Sequence, residues 1–148
     1  MAHEGDSAWE GLGLHAYDTV VGRLAGFRPR EGQRAMAQEV ARALSQCELG
    51  EPQGERLDDP ARAIAVVQAG TGVGKSAAYI SVGAAIAKAR GTRLVISTST
   101  IALQSQLLEK DLPAISAASP TRFTFALAKG RGRYVCKDKL LRHAEIET

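Results

Sequence analysis

The pattern of apolar and polar residues along this chain predicts four helices, two of them from the spacing of the apolar residues. In residues 31–47 they return every three or four positions, which predicts an amphipathic helix. Residues 14–24 show the same spacing and predict a shorter helix. The alanine-rich residues 75–88 predict a third helix. A fourth is predicted from Ser99 to about residue 110, with Pro113 beyond its end.

Three short stretches, one after each of the last three predicted helices, have the composition of strands. Residues 63–67 and 93–97 are almost continuously apolar, and residues 123–127 alternate apolar residues with Thr and Ala. Strands buried on both faces of a parallel sheet have this character. The order strand, helix, strand, helix, strand therefore predicts an α/β fold with right-handed crossovers. Residues 50–60, rich in Gly, Pro and charges, predict a surface loop.

Composition and charge add limits to this picture. A chain of 148 residues with 45% hydrophobic residues is sufficient for one domain with a core. No apolar stretch approaches the roughly 18 residues of a membrane span, so no membrane partner is expected. With no signal peptide and two cysteines, a reducing cytoplasm is expected. Seven Lys or Arg lie in residues 122–142 against one acid, which predicts either a polyanion-binding segment or a solvated basic tail.

A glycine-rich segment after the first predicted strand carries the clearest chemistry. It reads Ala-Gly-Thr-Gly-Val-Gly-Lys-Ser, a P-loop with alanine in place of the first glycine. The glycines let backbone N–H groups turn toward an anion, and the following helix directs its positive dipole end there. Lys75 would reach the β- and γ-phosphates, and Ser76 would bind Mg²⁺. The predicted nucleotide-binding residues are Ala69, Gly70, Thr71, Gly72, Val73, Gly74, Lys75 and Ser76, the last two also catalytic.

Hydrolysis of a bound triphosphate needs more than a P-loop. A carboxylate that holds Mg²⁺, at the end of another strand, is also required. No acid after the P-loop follows an apolar strand in this way; the acids there are Glu109, Asp111, Asp138, Glu145 and Glu147. The hydrolytic half of the site is therefore not expected on this chain.

Four segments, in order, resemble the DinG-like helicases, bacterial relatives of XPD in helicase superfamily 2. Residues 27–36 resemble the Q-motif region, residues 68–76 motif I, residues 96–106 motif Ia, and residues 129–136 the entry to the iron–sulfur domain. The resemblance implies a RecA-like parallel sheet flanked by helices, as an incomplete first motor domain. It divides the chain into an N-terminal extension with a short helix (1–26), a partial ATP-binding domain (27–128) and the start of an iron–sulfur domain (129–148).

The same resemblance implies roles for residues outside the P-loop. Gln33 would read the adenine edge with its amide, which has one donor side and one acceptor side, and Arg30 would support that contact. Thr98, Ser99 and Gln104 would contact the backbone of single-stranded DNA. ATP and Mg²⁺ are the implied cofactors.

Cys136 matches the first of four cysteines that hold a [4Fe–4S] cluster in this family. Lys129, Arg131 and Arg133 would offset the negative charge of such a cluster. The cluster cannot be completed on this chain, because Cys47 lies in a predicted core helix far upstream. The family's Asp-Glu-Ala-His motif is also absent.

The leading hypothesis is the ATP-binding portion of an ATP-dependent DNA helicase. The intact protein would couple hydrolysis to translocation on single-stranded DNA and unwinding, with the remainder of the helicase polypeptide as a partner. One alternative is a non-hydrolysing P-loop module that binds nucleic acid. Another is a small P-loop phosphotransferase.

Overall fold

The computed structural model describes residues 4–28, 30–47, 51–53, 56–58, 62–70 and 74–146. The α-helices in these residues are α1 Glu4–Arg23, α2 Glu31–Ser45, α3 Lys75–Ala89, α4 Ile101–Gln106, α5 Leu112–Ala118 and α6 Lys137–Ile146. A π-helical turn, Leu107–Asp111, joins α4 to α5, and a 3-10 turn, Arg131–Arg133, precedes α6. None of these helices combines the length and the apolarity needed to cross a bilayer.

The predicted parallel sheet flanked by helices is wrong. In the described residues the strands are β1 Glu51–Gln53 and β2 Arg56–Asp58, an antiparallel pair within the predicted surface loop. Residues 63–67, 93–97 and 123–127 are not strands. Helices cover only one side of these runs, so that Val67 packs on the core while Val66 is 94% exposed. An apolar composition predicts burial on both faces, but a sheet also needs neighbouring strands to pair with.

Helices α1, α2 and α3 pack together around the first of two apolar clusters. Gly13 permits the close approach of α1 to α3, because a Cβ there would lie 2.9 Å from Val82 Cγ1. Helix α1 begins at Glu4 and is longer than the helix predicted over residues 14–24. The buried members of this cluster are Tyr17, Val21, Met36, Ala37, Ala41, Ala78, Val82 and Ile86.

The second cluster lies between α1, α3 and the helical segment that runs from α4 to α5. Its buried members are Val20, Ala77, Ile80, Leu107, Ile115 and Ala118. This segment does not end before Pro113, as predicted, but continues through the π-helical turn into α5. Pro113 then lies in the first turn of α5, where a helix tolerates a residue without an N–H group.

Arg90, the residue after α3, ties the end of that helix to the end of α2. Its guanidinium donates to the backbone oxygens of Leu44 (3.0 Å), Ser45 (2.9 Å) and Cys47 (2.7 Å). It also lies 5.0 Å from the ring centroid of Trp9 in α1. Arg90 thus satisfies carbonyls that the end of α2 leaves without helical partners, and fixes the far end of the P-loop helix.

Candidate nucleotide site

Gly74 is the last glycine of the P-loop and caps the N-terminus of α3. Its φ of 84° and ψ of 37° lie in the left-handed region, where a side chain is strained. This turn sets Lys75 and Ser76 in the first turn of α3, where backbone N–H groups have no helical acceptor. The predicted site residues Thr71, Gly72 and Val73 lie outside the described residues.

The Lys75 side chain folds back over the P-loop. Its Nζ donates to the backbone oxygens of Ala69 (2.8 Å) and Gly70 (2.9 Å). The structure therefore brings together three of the predicted phosphate-binding residues. It also places the ammonium charge beside the loop, where an arriving phosphate could replace the two carbonyls as its partner.

Ser76 is half-buried and contacts another side chain of α3, one turn further on. Burial raises the pKa of the Tyr79 hydroxyl, and the charge of Asp111 adds to this, whereas a hydrogen bond with Ser76 lowers it. Ser76 and Tyr79 therefore lie close enough for their hydroxyls to interact. Tyr79 was not among the residues that the sequence predicted for the site.

Gln33 lies in α2 and is completely buried against the end of the P-loop. Its Nε2 donates to the carbonyl of Gly74 at 2.6 Å, and its Oε1 accepts from the Tyr17 hydroxyl at 3.0 Å. Both ends of the amide are thus bonded within the protein. The hydrogen bond from Tyr17 was missed by sequence reasoning, because the place of Tyr17 on the apolar stripe of a helix predicts only core packing.

Arg30 is the N-cap residue of α2, in an extended conformation. Its carbonyl accepts from the backbone N–H of Gln33 at 3.0 Å, so the predicted adenine-contacting residue and its predicted supporting residue share the first turn of this helix. The adenine contact of Gln33 and the support from Arg30 stay predictions.

The predicted DNA-contacting residues surround the start of α4. Ser99 is exposed, while Thr98 and Gln104 are half-buried. Between them, Thr100 caps the helix by accepting from the backbone N–H of Leu103 at 3.2 Å. Thr98 donates to the backbone oxygen of Thr100 at 3.3 Å. Their contact with DNA remains a prediction.

Cys136 is an exposed free thiol between the 3-10 turn and α6. Ahead of it, the Tyr134 hydroxyl accepts from the backbone N–H of Lys129 at 2.8 Å and closes a local turn. Within the described part of the chain, no group of three or more His, Cys, Asp or Glu residues could hold a metal ion. A role for Cys136 as an iron–sulfur ligand stays a prediction.

Comparisons with known proteins give one consistent relationship. The chain is 42% identical over 125 residues to the ATP-dependent DNA helicase DinG of Photobacterium profundum, which covers 84% of this chain. It is 40% identical over 132 residues to DinG of Salmonella choleraesuis and 38% identical over 131 residues to DinG of Escherichia coli K12. These last two matches each cover 88% of this chain, and the chain spans 16% of the length of each of the three relatives. No protein-family model and no solved structure matches the chain.

Proposed function

We propose that this chain, which belongs to the DinG-like helicases, binds ATP at its P-loop as part of an ATP-dependent DNA helicase. The observation that carries the proposal is the geometry at the start of α3. There Gly74 turns the backbone into the helix, and Lys75 lies over the carbonyls of Ala69 and Gly70. A cation together with backbone N–H groups that have no helical acceptor, at one helix N-terminus, forms a binding site for a polyphosphate.

On binding ATP, side chains of the site would exchange hydrogen-bond partners within the protein for groups of the ligand. The Lys75 ammonium would leave its two carbonyls for the β- and γ-phosphates, and the Ser76 hydroxyl would bind a phosphate-bound cation. A bound Mg²⁺ neutralises charge on the phosphates. An adenine contact by Gln33 would likewise require it to give up a bond to Gly74 or Tyr17.

In the intact polypeptide we propose hydrolysis coupled to movement along single-stranded DNA. Thr98, Ser99 and Gln104 would contact the DNA backbone at the start of α4. The exposed basic residues of 129–142 would add a salt-sensitive attraction for phosphates. Cys136 would serve as one ligand of a [4Fe–4S] cluster whose other ligands lie outside this sequence.

The exposed basic segment also supports a second candidate, a P-loop module that binds nucleic acid without hydrolysis. The described residues from 128 to 142 are exposed, with one local ion pair between Arg142 and Asp138. DNA affinity that does not change on addition of ATP would favour this candidate. Hydrolysis stimulated by single-stranded DNA on the purified chain would contradict it.

The test is ATP binding by the purified chain and two lysine variants. We expect weak binding of ATP with Mg²⁺ and little or no hydrolysis. Lys75→Ala removes a charge-assisted contact worth about 1.5–3 kcal/mol, so affinity should fall roughly ten- to hundredfold. The matched control is Lys88→Ala near the other end of α3, where the ammonium donates to the backbone of Arg122. Equal affinities of wild type and Lys75→Ala would refute the P-loop assignment.

A further inference from the structure

A buried chain of hydrogen bonds connects helix α1 to the last residue of the P-loop. It runs from the Tyr17 hydroxyl through the Gln33 amide to the carbonyl of Gly74. Tyr17 is 1% exposed and Gln33 is 0% exposed, so water does not compete for these bonds. Buried polar groups of this kind are costly when left without a partner, so each link holds the next in place.

The donor and acceptor of each hydrogen bond in this series follow from the Gly74 carbonyl, with which the series ends. A carbonyl only accepts, so the nitrogen of the Gln33 amide must face Gly74 and its oxygen must face Tyr17. The Tyr17 hydroxyl must therefore donate. Without that donor, Oε1 would be buried unsatisfied, and the amide would lose one of the two hydrogen bonds that hold its orientation.

Space at Gly74 makes the loop sensitive to that orientation. A Cβ on Gly74 would overlap the Gln33 amide nitrogen and lie 3.4 Å from the ring of Phe27. The loop backbone thus lies directly against the amide at the residue before Lys75. A rotation of the amide would therefore shift the loop backbone at the position where the phosphate-binding N–H groups begin.

We propose that Tyr17 is a positioning residue for nucleoside triphosphate binding, acting through Gln33 on the Gly74 carbonyl. The inference rests on the proposed nucleotide site and deepens it. Because the bonds reach the loop backbone, Tyr17 supports binding of the triphosphate whatever base it carries. ATP and GTP, each with Mg²⁺, are the probes that separate this role from recognition of adenine.

The central variant is Tyr17→Phe, which keeps the buried ring and removes the hydroxyl. We expect the dissociation constants for ATP and GTP to rise by the same factor, about five- to tenfold. Thr19→Val is the matched control, because the Thr19 hydroxyl lies in α1 and donates to the His15 carbonyl of the same helix. It should leave both constants unchanged.

A double-mutant cycle separates positioning from a general effect on the core. In a Gln33→Met background the hydroxyl has no amide to orient, so Tyr17→Phe should cause no further loss of affinity. If Tyr17→Phe does not fold, the single variant Gln33→Met tests the second link. It removes the amide that donates to Gly74 and should weaken ATP and GTP alike.

Three results would overturn the inference: unchanged affinity in Tyr17→Phe, a loss for ATP alone, or an equal loss in the Gln33→Met background. If Gln33→Met is the single variant used, unchanged affinity or a loss for ATP alone has the same meaning. Failure of the proposed function is distinguishable, because wild type and Lys75→Ala would then have the same ATP affinity.

Discussion

Replacing Arg90 by alanine should destabilise the three-helix core more than the loss of any exposed ion pair. The side chain makes three hydrogen bonds to carbonyls at the end of α2 and lies over Trp9 of α1. Truncation removes all of these contacts together. It leaves three backbone oxygens to find other partners at the end of a helix whose dipole favours a cation there.

The magnitude follows from these contacts. A hydrogen bond to a charged group contributes about 1.5–3 kcal/mol, and a cation–π contact about 0.5–1 kcal/mol at a partly exposed site. The three bonds share one guanidinium, and water can reach the freed carbonyls, so the contributions do not add fully. We expect Arg90→Ala to lower the free energy of unfolding by about 2–3 kcal/mol. Arg90→Lys should lower it by less, because lysine keeps the charge but not the planar guanidinium that donates to several carbonyls at once.

The measurement is urea unfolding followed by circular dichroism. Arg34→Ala is the matched control, because Arg34 also links two helices, through Asp18 at 3.3 Å, but both side chains are half-exposed. An exposed pair of this kind contributes about 0–1 kcal/mol. If Arg90→Ala costs no more than Arg34→Ala, the reasoning about the three carbonyls is refuted.

Two further substitutions test the turns that position the site. Gly74→Ala should lower both the melting temperature and the ATP affinity, because alanine is strained at φ 84° and overlaps the Gln33 amide; Gly22→Ala, with open space around it, should do neither. Thr100→Ala removes the side-chain cap of α4 and should cost about 1 kcal/mol in urea unfolding. An unchanged midpoint would show that the contact with Leu103 contributes nothing.

The helices were predictable because their signals are local. The apolar stripe of residues 31–47 corresponds to α2, and the alanine-rich run after the P-loop corresponds to α3. The boundaries were less predictable. The segment from α4 to α5 passes Pro113 because a π-helical turn precedes it, a solution that spacing alone does not reveal.

The sheet was wrongly predicted because strand pairing is not a local property. Residues 63–67 have the composition of a buried strand, yet Ile64 is 89% exposed. The site was only partly predictable, because some of its contacts are local in sequence and others are not. The spacing of the P-loop gave Lys75 and Ser76, whereas the link from Tyr17 to Gln33 depends on how α1 packs against α2.

The most direct measurement of the central claim compares ATP with AMP, each titrated with Mg²⁺ into the wild-type chain and into Lys75→Ala. A site built on Lys75 and the start of α3 binds the β- and γ-phosphates, which AMP lacks. We predict that the wild type binds ATP at least about tenfold more tightly than AMP, and that Lys75→Ala loses most of this difference. Equal affinity of the wild type for the two nucleotides, or a difference that Lys75→Ala retains, would contradict the account.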